Sequence, residues 1–189
     1  MSPQLVIQSL SFLTLASNVF VILFLLLFAL AKVNGSTDKF FTLAESYLTQ
    51  KGLLIAFLVA LTATSGSLYF SEVAGFEPCK LCWFQRIFMY PQVFLLGTAL
   101  IKKTKDVAKY VLPLSIIGGF IAIYHYIMQI SPNTLTPCSA IGFSVSCSER
   151  FFTYFGYITI PWMSFSAFLL ISLFVALSIK GDKKESLKV

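Results

Sequence analysis

A chain of 189 residues that is 57% hydrophobic and only 12% charged, with a mean hydropathy of +0.83, is too apolar for an ordinary water-soluble domain. Its formal net charge of +6 does not point to a nucleic-acid partner, because the basic residues cluster beside apolar runs and not on a polar face. An all-α polytopic membrane protein with positive-inside topology accounts for both features.

Residues 1–31 carry no charged side chain, and Ser9 to Val33 is long enough to span a bilayer. A secretory signal needs a basic start and a small-residue cleavage site. The first is absent and the second unconvincing, so a retained transmembrane helix is expected. In the polar stretch 32–51, Ser36-Thr37-Asp38 precede Phe40, Phe41, Ala44, Tyr47 and Leu48 at helical spacing. An interfacial amphipathic helix is expected there, in preference to a linker with scattered aromatics.

A second span is expected from Gly52 to about Phe70, a third from Trp83 to Ile101, a fourth from Tyr110 to Ile130 and a fifth from Pro161 to Ile179. Between them lie a basic turn at 102–109 and a longer loop at 131–161, and a basic tail, 180–189, follows. The architecture expected is a four-helix transmembrane bundle with one additional N-terminal transmembrane helix, divided into 1–51 and 52–189. Segments 32–51, 102–109 and 180–189 then share one side of the membrane and hold eleven of the fourteen Lys and Arg residues. That bias makes their side cytoplasmic and the N-terminus and both cysteine loops extracytoplasmic, where disulfides persist. Trp83, Tyr69, Tyr157 and Trp162 fall near span ends, as in an interfacial aromatic belt.

All the cysteines lie in two pairs, Cys79/Cys82 and Cys138/Cys147. Two intervening residues allow either a disulfide or a metal site. Pro78 suits the first turn of a helix, which sets Cys79 and Cys82 near an N-terminus where free N–H groups favour a thiolate. Arg86, four residues after Cys82 on the same face, adds a permanent charge, so Cys82 is expected as the stabilised thiolate. A membrane-embedded dithiol with no nucleotide fingerprint needs a bilayer-soluble acceptor of two electrons and two protons, and a quinone fits. His125, the single histidine, lies inside the fourth span with Gln129 one turn further on. The two can bind quinone oxygens, relay protons, or simply hydrogen-bond between helices.

The run Glu77-Pro78-Cys79-Lys80-Leu81-Cys82-Trp83-Phe84-Gln85-Arg86-Ile87-Phe88-Met89-Tyr90-Pro91 resembles the signature of the DsbB family of bacterial disulfide-forming membrane proteins, especially its BdbC-like branch. Phe155-Gly156-Tyr157-Ile158-Thr159-Ile160-Pro161 is similar to that family's approach to its last span. The resemblance implies a membrane thiol oxidase in which Cys79 and Cys82 are the quinone-proximal pair and Cys138 and Cys147 the partner-proximal pair. It implies that Cys82 contacts a membrane quinone, ubiquinone or menaquinone, with Arg86 stabilising its thiolate. Cys138 forms the mixed disulfide with a DsbA-like thioredoxin-fold partner, and Cys147 exchanges with Cys79. The implied location is the bacterial cytoplasmic membrane. The N-terminal fifty residues or so have no counterpart in the usual four-helix pattern, and eight residues separate Cys138 from Cys147, as in the BdbC-like branch.

Other chemistries fit less well. Structural zinc sites repeat short cysteine spacings, which the second pair lacks. Haem attachment needs a histidine after Cys82, where Trp83 stands. A vitamin K epoxide reductase-like quinone reductase has its loop pair before the Cys-x-x-Cys, the reverse of the order here. A non-catalytic scaffold with structural disulfides gains little from a bridge across two residues.

Overall fold

The computed structural model describes residues 3–34, 39–131 and 146–186. Five helices make up nearly all of it: α1 (Pro3–Asn34), α2 (Lys39–Glu72), α3 (Lys80–Lys102), α4 (Ala108–Ile130) and α5 (Ile160–Ser186). The protein is an all-helical, polytopic membrane protein, and four of these helices contain stretches long and apolar enough to cross a bilayer: Pro3–Leu30, Lys51–Glu72, Ala108–Ile130 and Ile160–Ile179. The expected N-terminal span is among them.

Helix α3 is absent from that set for a physical reason. Its 23 residues rise about 34 Å, enough for a span, but Gln85, Arg86 and Gln92 lower its hydropathy. All three are buried, while Trp83, Phe84, Ile87 and Phe94 face outward. The helix is apolar toward lipid and polar toward the protein. Gln92 accepts a 2.8 Å hydrogen bond from Ser115 Oγ of α4, so the polar groups between the two helices are satisfied within the bundle.

The expected boundary near Gly52 is not a break. Helix α2 runs without interruption from Lys39 through the second span, so residues 39–51 belong to the same helix and do not form a separate one. Gly52 is needed there because a Cβ would lie 2.3 Å from Ser178 Oγ and 2.6 Å from the Phe174 carbonyl of α5. Gly118 plays the same part in α4, where a Cβ would lie 2.4 Å from the Phe168 ring. Small residues let α2 and α4 pack closely on α5, the helix between them.

Helix α1 docks along one narrow seam. Ile7, Ser11, Thr14 and Val21 are buried, and the rest of this helix turns leucines and phenylalanines outward. Asn18 falls on the same seam and accepts a 2.8 Å bond from Ser166 Oγ of α5. Phe20 stacks on Phe174.

The C-terminal ends of α2 and α4 and the N-terminal ends of α3 and α5 gather at one end of the bundle. The connection 73–79 and the segment 146–159 meet there through aromatic rings. Phe76 stacks on Phe151 at 4.7 Å, and Phe70 touches both Phe76 and Phe152. Just before α5 the chain makes a tight turn closed by a Tyr154–Ile158 bridge, with Gly156 at φ 78.

Candidate redox site

Cys79 is the N-cap of α3, in extended conformation, and its carbonyl accepts from Trp83 N–H at 3.1 Å. Pro78 therefore precedes the cap and does not occupy the first helical turn. One turn of helix brings Cys82 Sγ within 3.3 Å of Cys79 Sγ, with both thiols reduced. Two sulfurs on a tetrahedral zinc stand about 3.8 Å apart, so this pair is drawn closer than a metal would hold it. His125 is the third group whose ligand atom converges on the two sulfurs within 4.8 Å.

The imidazole joins the two cysteine loops. Its Nε2 lies 3.5 Å from Cys79 Sγ and 3.1 Å from the Cys147 carbonyl. Its Nδ1 lies 2.9 Å from Gln85 Nε2 of α3. An amide nitrogen can only donate, so Nδ1 accepts, and the ring proton is on Nε2, facing both cysteines. Cys147 is disulfide-bonded and packs with Cys79 and Met128 in one buried cluster. Cys138 lies outside the described residues.

The acidic sulfur here is Cys79, where the sequence pointed to Cys82. A hydrogen bond from Cys82, reinforced by one from His125, lowers the Cys79 thiol to about 4, although burial opposes the shift. Arg86 does not reach toward this sulfur. Its Nε donates to Ser67 Oγ at 3.1 Å, its Nη2 to the Ser67 carbonyl at 3.0 Å, and its guanidinium stands 5.2 Å from the centre of the Trp83 ring. Tyr90 also donates to Ser67 Oγ. Among the described residues no carboxylate pairs with this buried cation.

Cys82 and Arg86 line one cleft with Ser67, Phe70, Phe76, Gln85 and Tyr90, a space of about 570 Å³ including its open side. Neither His125 nor Gln129 lines it. Gln129 instead ties down the second loop, donating to the Glu149 carbonyl at 2.8 Å and accepting from Arg150 Nε at 2.8 Å on its own carbonyl. The pair sits on the Cys79–Cys147 side, with the cleft on the Cys82 side. Trp162 and Tyr157 are also placed differently from a simple belt. They pack against each other and, through Trp162, onto Tyr126 and Phe165.

Sequence inspection missed Gln85, which orients His125, and Ser67, which anchors Arg86. A glutamine in the first turns of a span, one position before an arginine, was a usable signal for the first. Nothing distinguishes Ser67 from the other hydroxyls of its span.

Residues 49–178 match the family model "Disulfide bond formation protein DsbB". The chain is 48% identical to "Disulfide bond formation protein C" of Bacillus subtilis over 135 residues, 70% of this chain and 95% of the relative. It is 45% identical to "Probable disulfide formation protein C" of Halalkalibacterium halodurans over 119 residues, 63% of this chain and 86% of that one. A "Probable disulfide formation protein" of Coxiella burnetii is 40% identical over 146 residues, 76% of this chain and 96% of the relative. No solved structure matches. The family match leaves α1 and the first ten residues of α2 outside it.

Proposed function

Since the chain belongs to the DsbB family of disulfide bond formation proteins, in its BdbC-like branch, we propose that this membrane disulfide oxidoreductase is a quinone-dependent thiol oxidase. It reoxidises a DsbA-like thioredoxin-fold partner outside the cytoplasm. The observation that carries the reading is the placement of Cys147 against Cys79, with Nε2 of His125 between them.

The partner's dithiol is oxidised to a disulfide as the Cys138–Cys147 bridge is reduced, with Cys138 taking the mixed disulfide. The Cys147 thiolate then attacks Cys79 of the Cys79–Cys82 disulfide, forming a Cys147–Cys79 bond and releasing Cys82 as a thiolate. That thiolate forms on the wall of the cleft that Arg86 also lines, and a buried cation with no carboxylate partner among the described residues suits a transient anion. Cys138 next attacks Cys147, and Cys79 leaves. A low thiol pKa makes Cys79 a good leaving group, which draws the exchange toward the oxidised second loop. His125 holds a proton at Nε2 beside that sulfur.

The cleft offers a quinone the rings of Phe70, Phe76 and Phe151 and the N–H donors of Arg86 and Gln85. Bound there, a quinone supplies a two-electron, two-proton sink and leaves as the quinol. The lysine bias supports a topology with this end of the bundle and both cysteine loops outside the cytoplasm and the C-terminus within it.

The test uses purified protein with membrane quinone and excess reduced thioredoxin-fold partner, following quinone absorbance in wild type, Cys82→Ser and Cys138→Ser. Loss of absorbance in wild type and in neither variant is expected. Oxidised quinone with both protein disulfides left intact replaces the oxidase with a structural scaffold.

A further inference from the structure

A second space adjoins the redox cleft, and α1 helps to build it. It encloses about 1020 Å³, open side included, between α1, α2 and α5, and no ionisable side chain lines it. Ala63, Ser67, Phe70, Ile160 and Ser164 line both spaces, so the two adjoin across these side chains. From Phe70, at the redox end, the chamber extends along α2 to Ile55, about 22 Å at the helical rise and most of the roughly 30 Å hydrocarbon thickness.

Several of its hydroxyls are already engaged. Thr14 and Thr62 each bond the carbonyl four residues back in their own helix, and Ser17 bonds the Thr14 carbonyl. At the redox end a Cβ on Gly66 would lie 3.0 Å from Leu10 Cδ1, so α1 reaches α2 beside the serine that anchors Arg86. On the other side the Asn18–Ser166 bond holds α1 to α5.

We propose that α1 is the outer wall of a chamber that holds the isoprenoid tail of the acceptor quinone, whose ring occupies the Cys82–Arg86 cleft. The inference rests on the quinone reading above. A long, uncharged space that adjoins the ring site and runs along α2 fits a linear chain attached to that ring. Since lipid is as apolar as the chamber, the tail gains packing and not hydrophobic transfer, and α1 supplies that packing. Acceptor affinity then depends on α1 only when the acceptor has a tail.

The experiment measures turnover of the full-length protein with two naphthoquinones, one with a long isoprenoid tail and one with a methyl in its place. Leu10→Trp and Ser17→Phe fill the chamber from α1, and Leu26→Trp, on the exposed face of α1, is the control. KM for the tailed quinone is expected to rise roughly fivefold in both filling variants, the scale of one packing interaction in a membrane. KM for the tailless acceptor, kcat and the control stay as in wild type. A tailed quinone with a photoreactive group at its far end is expected to label α1 in wild type, which tests the placement even where a variant fails to fold. An unmoved KM, equal rises for both acceptors, or labelling confined to lipid overturns the proposal. Loss of co-purified phospholipid from the filling variants with the tailed KM unmoved also overturns it, assigning the chamber to an acyl chain. Wild type that reduces neither acceptor removes the oxidase reading itself.

Discussion

Helices α1 and α3 invert one another. Helix α1 is apolar around almost its whole circumference and docks through a few small and polar groups, Ser11, Thr14 and Asn18. Helix α3 is too polar to register as a span, yet it carries Cys82 and is capped by Cys79, and its Gln85, Arg86 and Gln92 turn inward. Hydropathy therefore reports how much of a helix faces lipid, not how much it matters to the chemistry. In a bilayer the functional helix is the one whose polar groups have somewhere to go.

Substitutions in the two helices sharpen that contrast. The largest effect is expected at α3's thiols: Cys79→Ser or Cys82→Ser lowers thiol-dependent quinone reduction by roughly a thousandfold or more, measured as steady-state turnover. Arg86→Gln follows, with kcat for quinone reduction falling about a hundredfold and the exchange that releases Cys82, read by rapid-quench alkylation, slowing with it, while the unfolding midpoint stays as in wild type. If the unfolding midpoint falls as well, the guanidinium acts on the fold and not on a cleft anion.

His125→Ala is expected to slow the attack of Cys138 on the Cys147–Cys79 disulfide roughly tenfold, because the leaving Cys79 thiol becomes less acidic. The sign can be checked by titration. Cys79 is held down to about 4, so in reduced wild type its thiolate ultraviolet absorbance persists as pH falls and disappears only near that value. Without the histidine the signal fades at higher pH. A titration that does not move removes His125 from this role.

Packing changes come next. Gly52→Val drives atoms into Ser178 and the α5 backbone and is expected to cost about 1–3 kcal/mol in unfolding free energy by steric trapping. Asn18→Ala, which removes α1's bond to Ser166, is expected to cost only about 0.6 kcal/mol. A larger loss at Asn18 than at Gly52 reverses the view that α1 is an added wall and makes it part of the core.

Much of this plan was legible in the chain. Five apolar runs and the clustered lysines gave the bundle, and Pro-Cys-Lys-Leu-Cys-Trp beside Arg86 marked the redox end. Two kinds of information were hidden. The continuity of α2 through Gly52 depends on α5 lying against it, and a glycine between a polar and an apolar stretch reads locally as a boundary. The division of labour between His125 and Arg86 depends on which face of α3 each approaches, because four-residue spacing places Arg86 near Cys82 without saying that Ser67 holds its nitrogens.

That last contact has a consequence for anyone surveying this protein by mutation. One of the two bonds fixing Arg86 goes to the main-chain carbonyl of Ser67, which every amino acid possesses. Replacing the serine removes the hydroxyl contact and leaves the carbonyl contact in place. A saturation scan of α2 will therefore record position 67 as tolerant, although its backbone is one of the two points from which the charge beside Cys82 is aimed.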